Sequence, residues 1–228
     1  MKRRLIRMTY RGIHIQDYLN FSKYRLMSTV RPYTLLSYAR LNNLYEMSRF
    51  LEREKMPGAF VELGVCNGGS AGILGNAARG NPQRQVWLFD SWEGLPEPGP
   101  DDLTSSGRPG AKGMCLGSLE RVKELLFNKL NLAEDRMHLM KGWFNVTLPA
   151  VKAKIGPIAL LHLDSDWYES TKFCLEELYD QVVPGGFIVI DDYGYWTGCK
   201  KAVDEFLANK GLHPELVQVD HTGVYFEK

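Results

Sequence analysis

Two aspartates follow an apolar run in the segment LLHLDSDWYES, which covers residues 160–170. The run is typical of a buried strand, and Asp164 and Asp166 stand two residues apart at the point where that strand would end. Side chains at i and i+2 of a strand point to the same face, so these carboxylates are expected to lie side by side. Paired carboxylates suit proton transfer or the binding of a divalent cation.

A second acidic pair, Asp191 and Asp192, follows the next apolar run, GGFIVI, 27 and 28 residues after Asp164. The carboxyl ends of neighbouring parallel strands meet at one edge of a sheet, beside the crevice where ligands bind. Asp164, Asp191 and Asp192 are therefore expected to converge, and their charges would repel unless a cation lay among them. Oxygen ligands without cysteine or histidine suit Mg²⁺, with Ca²⁺ or Mn²⁺ as alternatives. In the structural alternative, Asp191 and Asp192 cap a turn, and Asp164 or Asp166 caps the following helix.

A glycine-rich turn precedes these acids in VELGVCNGGSAG, residues 61–72, where a strand gives way to a helix. Gly64, Gly68 and Gly69 would let a ligand approach the backbone, and free N–H groups at the helix start favour an anionic group. The spacing is not the G-x-G-x-x-G of dinucleotide-binding enzymes, which disfavours an oxidoreductase. Asp90 ends the next strand, 26 residues after Gly64, where it could accept the hydroxyls of a ribose. The combination predicts a nucleoside cofactor.

The elements that would hold these groups alternate between strand and helix patterns. Amphipathic helical spacing occurs at 33–54, 70–79, 118–130 and 169–181, and short apolar runs occur at 59–65, 85–90, 137–142, 158–164 and 185–192. Strands that are apolar on both faces and alternate with helices predict a mostly parallel sheet covered on both sides, which is an α/β doubly wound fold. The last segments, ELVQVD and VYFEK around HTG, instead predict a terminal antiparallel hairpin.

One long segment, 94–117, has no periodicity and contains ten glycines or prolines. Structureless loops beyond about 12–15 residues are usually lids, binding loops or disordered segments. The sequence therefore leaves two alternatives for this segment, a substrate lid and a disordered loop.

Composition limits the class of protein. The chain has 228 residues, 44% of them hydrophobic, and a formal net charge of +1, which argues for one substantial core and against nucleic acid as the main partner. The four cysteines are far apart in sequence and are expected to be reduced thiols. No run approaches the roughly 20 apolar residues that span a bilayer, so we expect a cytoplasmic protein without a membrane partner. Residues 1–31 hold eight Lys or Arg against one Asp, which indicates an arm for an acidic partner or a solvated or dimer-packing extension.

Five segments together resemble the macrocin O-methyltransferase family, from about Tyr33 to the C-terminus: VELGVCNGGSA, VWLFDSWEGLP, GWFNVTLP, LHLDSDWYEST and GGFIVIDDYG. Members of this family are S-adenosylmethionine- and Mg²⁺-dependent enzymes that methylate sugar hydroxyls of antibiotic-type natural products. The resemblance implies a Rossmann-like methyltransferase fold of seven strands with the last one antiparallel, in a homodimer that acts on a small-molecule glycoside. It also implies a methyltransferase domain over 55–228, with 1–54 as a basic arm and helical segment of the same domain.

The resemblance assigns roles to residues at the turn and at the strand ends. Glu62, Gly64, Gly68 and Ser70 would line the methionine end of the cofactor, Asp90 and Ser91 would hold its ribose, and Trp143 would lie near its adenine. A core tryptophan is an equally good interpretation of Trp143.

Asp164, Asp191 and Asp192 match the metal ligands of the family, and the resemblance makes Asp164 the general base as well. A divalent cation beside the acceptor hydroxyl would stabilise the alkoxide as it forms, and the oxygen would displace the sulfonium methyl in line. Asp166 is expected to face the substrate or to be structural. Two other functions fit parts of the pattern, a catechol-type O-methyltransferase with the same metal site and a non-catalytic nucleoside-binding protein, which would need no converging acids.

Overall fold

A seven-stranded sheet runs through residues 20–228, the part of the chain that this computed structural model describes. The strands are β1 (Ala59–Leu63), β2 (Val86–Asp90), β3 (Met137–Lys141), β4 (Ile158–Leu163), β5 (Val182–Ile190), β6 (Val217–Gln218) and β7 (Val224–Glu227). Their order is β3-β2-β1-β4-β5-β7-β6, in which β1 to β5 pair in parallel and β7 is antiparallel to both β5 and β6. The predicted fold, including its antiparallel terminal strand, is confirmed.

Seven α-helices connect and cover the strands of the described part of the chain. They are α1 (Phe21–Val30), α2 (Tyr38–Arg53), α3 (Gly69–Ala78), α4 (Leu119–Lys123), α5 (Phe144–Ile155), α6 (Tyr168–Leu178) and α7 (Thr197–Asn209), and α4 continues into a π-helical turn at Glu124–Lys129. The helix predicted from residue 33 begins later, because residues 31–33 form a 3₁₀ turn and the Ser37 hydroxyl accepts a hydrogen bond from the Arg40 N–H, which caps α2. None of the helices in residues 20–228 is long and apolar enough to cross a membrane.

The sheet has a hydrophobic layer on each face, which is why its central strands are apolar at successive positions. Phe60 and Leu160 pack into the layer that includes residues of α1, α2 and α3, whereas Val61 and Leu161 pack into the layer that includes residues of α5, α6 and α7. Alternation of side chains along a strand sends neighbouring residues to opposite faces. The helical segment 21–53 therefore shares its core with the strands, and residues 1–19 of the basic segment 1–31 lie outside the described residues.

The long loop at 94–117 is ordered and forms part of the wall of the site. Asp102 is buried, and its two carboxylate oxygens accept hydrogen bonds from the Tyr168 N–H and the Gly99 N–H, each at 2.7 Å. The indole N–H of Trp167 donates to the Pro96 carbonyl at 3.0 Å. These contacts tie the loop to the start of α6, immediately after the acids that end β4.

Candidate active site

A cavity of about 990 Å³ opens at the carboxyl ends of the parallel strands. Ligand sites commonly measure roughly 300–1,000 Å³, so this cavity is large enough for a nucleoside cofactor and an acceptor together. Its wall is formed by the 33–36 segment, the turn after β1, the end of β2, loop 94–117, the start of α5 and the segments that follow β4 and β5. The position is the one expected for an α/β sheet of this topology.

Gly64 brings the glycine turn directly against the acidic strand end. Its φ is +95°, and a Cβ built there would lie 1.9 Å from the carbonyl oxygen of Asp164. Only glycine fits this position, because other residues rarely adopt the backbone conformation and the contact is with backbone atoms. Gly69 allows a second close approach, since its Cβ would lie 2.5 Å from the Cβ of Thr34 in the segment that precedes α2.

The residues assigned to the cofactor do not all reach the cavity. Gly64, Ser70, Asp90, Ser91 and Trp143 line it, whereas Glu62 and Gly68 are not part of its wall. Glu62 is fully buried behind the turn, and Gly68 is the N-cap residue of α3 with φ +91°.

Asp90 organises the glycine turn through backbone hydrogen bonds. One carboxylate oxygen accepts from the N–H groups of Val65 and Cys66, both at 2.8 Å, and the other accepts from the N–H of Trp92 at 2.6 Å. A carboxylate has about four acceptor sites, so Asp90 keeps capacity for a ligand hydroxyl while it fixes the turn. Asp90 therefore fixes the turn and still offers acceptor sites towards the cavity that it lines.

Three carboxylates meet at the floor of the cavity. Asp164, Asp166 and Asp192 each place one oxygen within 4.8 Å of the others. Burial, reinforced by the neighbouring carboxylates, raises the pKa of Asp164 and of Asp166 well above the ordinary value. Burial and the charge of Asp191 raise the pKa of Asp192 to about 7. Groups this close with raised pKa values are the signature of a site that would gain from a cation.

Asp166 enters this cluster because its backbone turns at φ +59°. The indole N–H of Trp196 donates to one of its carboxylate oxygens at 2.9 Å, which fixes the side chain within the site. The sequence placed Asp166 towards the substrate or in a structural role, and the structure places it among the candidate ligands. The expected proximity of Asp164 and Asp166 is therefore observed, but it arises from this turn and not from strand spacing, because residues 164–166 lie beyond the end of β4.

Asp191 faces a buried chain of charged groups instead of the acid cluster. One of its oxygens pairs with the Arg40 guanidinium, whose Nε also lies 3.0 Å from a carboxylate oxygen of Asp220. The other oxygen lies 3.8 Å from Nε2 of His162, whose Nδ1 is 2.9 Å from the Glu62 carboxylate. Although burial opposes a charge on His162, the nearby carboxylates of Asp191 and Glu62 outweigh it and raise the pKa of His162 to about 9. Glu62, His162, Asp191, Arg40 and Asp220 thus follow one another as acidic and basic side chains in alternation.

Replacing Arg40 by methionine is expected to lower the free energy of unfolding by about 3–5 kcal/mol, because it leaves Asp191 and Asp220 buried without their shared cation. Chemical denaturation measures the change. Arg53→Met is the matched control, since Arg53 pairs with Glu54 on the surface and should leave the unfolding midpoint unchanged. Equal midpoints for both variants would contradict the role given to Arg40.

The fold and the site together define a Rossmann-like methyltransferase, with a glycine turn after β1, an acid at the end of β2 and acids after β4 and β5. The chain belongs to the macrocin-O-methyltransferase family, whose sequence model matches residues 18–228. It is therefore an S-adenosylmethionine-dependent O-methyltransferase.

Individual relatives agree with this assignment. The chain is 33% identical over 238 residues to the 8-demethyl-8-(2,3-dimethoxy-alpha-L-rhamnosyl)-tetracenomycin-C 4'-O-methyltransferase of Streptomyces olivaceus, with 99% of this chain and 90% of the relative covered. It is 32% identical over 200 residues to the demethyldecarbamoylnovobiocin O-methyltransferase of Streptomyces niveus, with 86% and 76% covered. Among solved structures, the O-methyltransferase NovP superposes with a TM-score of 0.77 at 32% identity, covering 86% of this chain and 82% of that one.

Proposed function

We propose that this enzyme transfers a methyl group from S-adenosylmethionine to a sugar hydroxyl of a natural-product glycoside, with the help of a divalent cation. The observation that supports a metal site is the cluster of three carboxylate oxygens within 4.8 Å of one another on the cavity floor. The acceptor class is supported by the relative from Streptomyces olivaceus, whose name describes a 4'-O-methyltransferase of a rhamnosyl-tetracenomycin. A phenolic acceptor of the catechol type is the competing proposal.

The donor set fits a hard cation such as Mg²⁺, because every candidate ligand is a carboxylate oxygen. Asp164 and Asp192 are ligands in both the sequence prediction and the observed cluster. Asp191, the third ligand in the sequence prediction, would have to exchange its contact with Arg40 for the metal. When bound, the cation supplies Lewis-acid stabilisation of the charge that develops on the acceptor oxygen.

The cofactor would be held by the residues of the turn and the strand ends that line the cavity. Gly64 and Ser70 would meet its methionine end, Asp90 and Ser91 its ribose, and Trp143 its adenine. Glu62 and Gly68 would act from behind the wall by shaping the turn. The sulfonium of S-adenosylmethionine supplies an electrophilic methyl group, so the chain has only to align it with the acceptor oxygen and exclude water.

Two carboxylates could remove the acceptor proton. A metal ligand is a weak base, because the cation lowers the pKa of the carboxylate that binds it. Asp164 and Asp192 would bind the metal, which leaves Asp166, fixed in the site by the hydrogen bond from the Trp196 indole N–H, as the base that we propose. This carboxylate would take the acceptor proton while the acceptor oxygen takes the methyl group, with S-adenosylhomocysteine as the second product.

Replacing Asp90 by alanine is expected to weaken cofactor binding by about 10–100-fold, because the change removes a ribose acceptor and frees the turn that Asp90 holds. Titration calorimetry with S-adenosylhomocysteine measures the effect, and the thermal shift produced by Mg²⁺ should be unchanged. Asp135→Ala, at an exposed position that does not line the cavity, is the control. An unaltered cofactor affinity in Asp90→Ala would remove Asp90 from the cofactor site.

The proposed function is tested by the mass of the product after incubation with S-adenosylmethionine and a panel of deoxysugar glycosides and catechols. We expect a gain of one methyl on a glycoside, abolished by EDTA and restored by Mg²⁺. Methylation of catechols alone would support the competing acceptor class. Methylation of glycosides that continues in the presence of EDTA would contradict the proposed dependence on a divalent cation.

A further inference from the structure

The long loop 94–117 has two parts with different contacts. Its ends, 94–96 and 114–115, line the cavity, and the described residues 97–113 between them do not. Residues 101–105 instead form hydrogen bonds with the starts of α6 and α7 and with the residue two positions before α7. These two helices follow the acids at the ends of β4 and β5. The middle of the loop is therefore bound to the elements that carry the acid cluster.

The middle of the loop caps both of these helices. The residues that precede α6 and α7 are tryptophans, whose side chains make no capping hydrogen bond. Instead, the Tyr168 N–H donates to a carboxylate oxygen of Asp102 at 2.7 Å, and the Thr197 N–H donates to the Leu103 carbonyl at 2.8 Å. The first N–H groups of a helix have no partner within the helix, and a carboxylate is favourable at that end. The loop thus supplies caps that the local sequence of each helix lacks.

Two glycines allow this close approach of the loop. A Cβ at Gly198, in the first turn of α7, would overlap the Asp102 oxygen that accepts from the Tyr168 N–H. A Cβ at Gly110 would overlap the ring of Trp167. Asp102 is only 2% exposed, and a buried carboxylate is costly unless hydrogen bonds satisfy it. The position of Asp102 is therefore fixed by both helix starts.

The helix starts are linked to the acids through two tryptophans. Trp167 and Trp196 pack edge to face, with 4.6 Å between ring centroids. The Trp196 indole N–H donates to Asp166 at 2.9 Å, and its backbone N–H donates to the Asp192 carbonyl at 3.0 Å. Asp166 precedes Trp167 directly and has a φ of +59°, a conformation that persists only where the surroundings hold it. A shift of either helix start would therefore move the Asp166 carboxylate.

We propose that Asp102 is a positioning residue for methyl transfer, because it holds the starts of α6 and α7 so that Asp166 keeps its place in the acid cluster. This inference rests on the proposed function, in which Asp166 removes the acceptor proton. A displacement of about 1 Å in a reacting group can lower a rate about 100-fold, so a buried hydrogen-bonded residue outside the cavity can control turnover. Asp102 acts through Asp166 and does not touch the substrates.

The variant Asp102→Asn tests this role, because asparagine keeps the size of the side chain but offers one acceptor atom in place of two. With an acceptor that the wild type methylates, we expect kcat to fall about 10–100-fold. The Kd for S-adenosylhomocysteine, measured by calorimetry, should be unchanged. The near-UV circular dichroism should change, because the packing of Trp167 against Trp196 depends on the helix starts.

Asp101→Asn is the matched control, since Asp101 is the neighbouring residue and pairs with Lys201 at the surface. It should equal the wild type in kcat, Kd and circular dichroism. A purely structural role for Asp102 would lower the melting temperature and leave kcat unchanged below that temperature, which would overturn the inference. A wild type that methylates none of the glycosides and catechols would contradict the proposed function, and the inference with it.

A double-mutant cycle shows whether Asp102 acts through Asp166. Trp196→Phe keeps an aromatic ring but removes the N–H that donates to Asp166, and we expect it to lower kcat about tenfold. Two changes that act through the same carboxylate are not additive, so the double variant should lose less than the product of the single losses. A loss equal to that product would show that Asp102 acts independently of Asp166.

A milder variant tests the inference if Asp102→Asn does not fold. Thr197→Val removes the hydroxyl that donates to the carbonyl of Asp101 and so loosens the loop from α7. We expect kcat to fall about threefold to tenfold, again with an unchanged Kd for S-adenosylhomocysteine. A wild-type kcat in this variant would contradict the positioning role of the loop.

Discussion

Replacing Asp192 by asparagine is expected to lower kcat about 10³-fold while leaving the affinity for S-adenosylhomocysteine unchanged. Asp192 is buried on the cavity floor within 4.8 Å of both Asp164 and Asp166, at the end of a different strand from the glycine turn that we assign to the cofactor. Asparagine keeps the shape of the side chain and removes its charge. The variant should therefore lose the metal and keep the cofactor.

The thermal shift produced by Mg²⁺ separates this explanation from a general loss of structure. A cation that binds only the folded state stabilises it by mass action, so the wild type should melt at a higher temperature with Mg²⁺. Asp192→Asn should show no such shift, and its metal-free form should be at least as stable as the wild type, because one of the repelling carboxylates is gone. Asp135→Asn, an exposed position, should behave as the wild type. Full turnover in Asp192→Asn would contradict the metal site.

The same measurements assign the base. Asp164→Asn should lose both turnover and the Mg²⁺ shift, whereas Asp166→Asn should lose turnover and keep the shift, because we propose Asp164 as a ligand and Asp166 as the proton acceptor. The opposite pattern would return the role of base to Asp164 and make Asp166 a ligand.

Replacing Gly64 by alanine is the substitution with the largest expected effect on the fold of the site. Its Cβ would lie 1.9 Å from the carbonyl oxygen of Asp164, at a φ of +95° that alanine rarely adopts. Neither the strand end nor the turn can move without displacing the other, so we expect a loss of more than about 4 kcal/mol of unfolding free energy and no measurable cofactor binding.

Gly80→Ala is a suitable control, because a Cβ at Gly80 would have no neighbour within 4 Å. Denaturation and cofactor titration on both variants make the comparison, and the control should differ little from the wild type. A Gly64→Ala protein that binds the cofactor normally would show that the turn and the acidic strand end are not in the contact described here.

Much of the sheet was predictable because its strands are buried on both faces and appear as apolar runs that end at acidic residues. The runs ending at Asp90, Asp164 and Asp191 marked three strand ends, and parallel pairing brought them to one edge. The short β6 and β7 were predicted from the turn residues HTG between two strand patterns, because a hairpin depends on residues that are close in sequence.

Other elements were missed for physical reasons. No helix is predicted over α5 from the sequence pattern, because Pro149 lies inside this helix and weakens the expectation of regular hydrogen bonding. The helices α7 and α1 were also not predicted. Their amphipathic patterns are present in the sequence and could have been found by the same periodicity that identified α6.

Within the site, the missing information concerned contacts between distant residues. Arg40 meets Asp191 across 151 positions of sequence and Asp220 across 180, and no local pattern encodes either pair. The role of His162 was not predicted, because it lies in an apolar strand. Its pairing with Glu62 could have been predicted, since two ionisable residues on buried strands need polar partners. The inclusion of Asp166 depends on a positive φ that only the folded backbone shows.

The central claim is that the acids on the cavity floor hold a divalent cation beside the cofactor. The most direct measurement is a crystal structure with Mn²⁺ and S-adenosylhomocysteine, with anomalous scattering recorded for manganese. We predict one manganese peak within about 2.5 Å of carboxylate oxygens of Asp164 and Asp192, with the cofactor bound along Gly64, Asp90 and Trp143. A fully bound cofactor with no manganese among these acids would contradict the account.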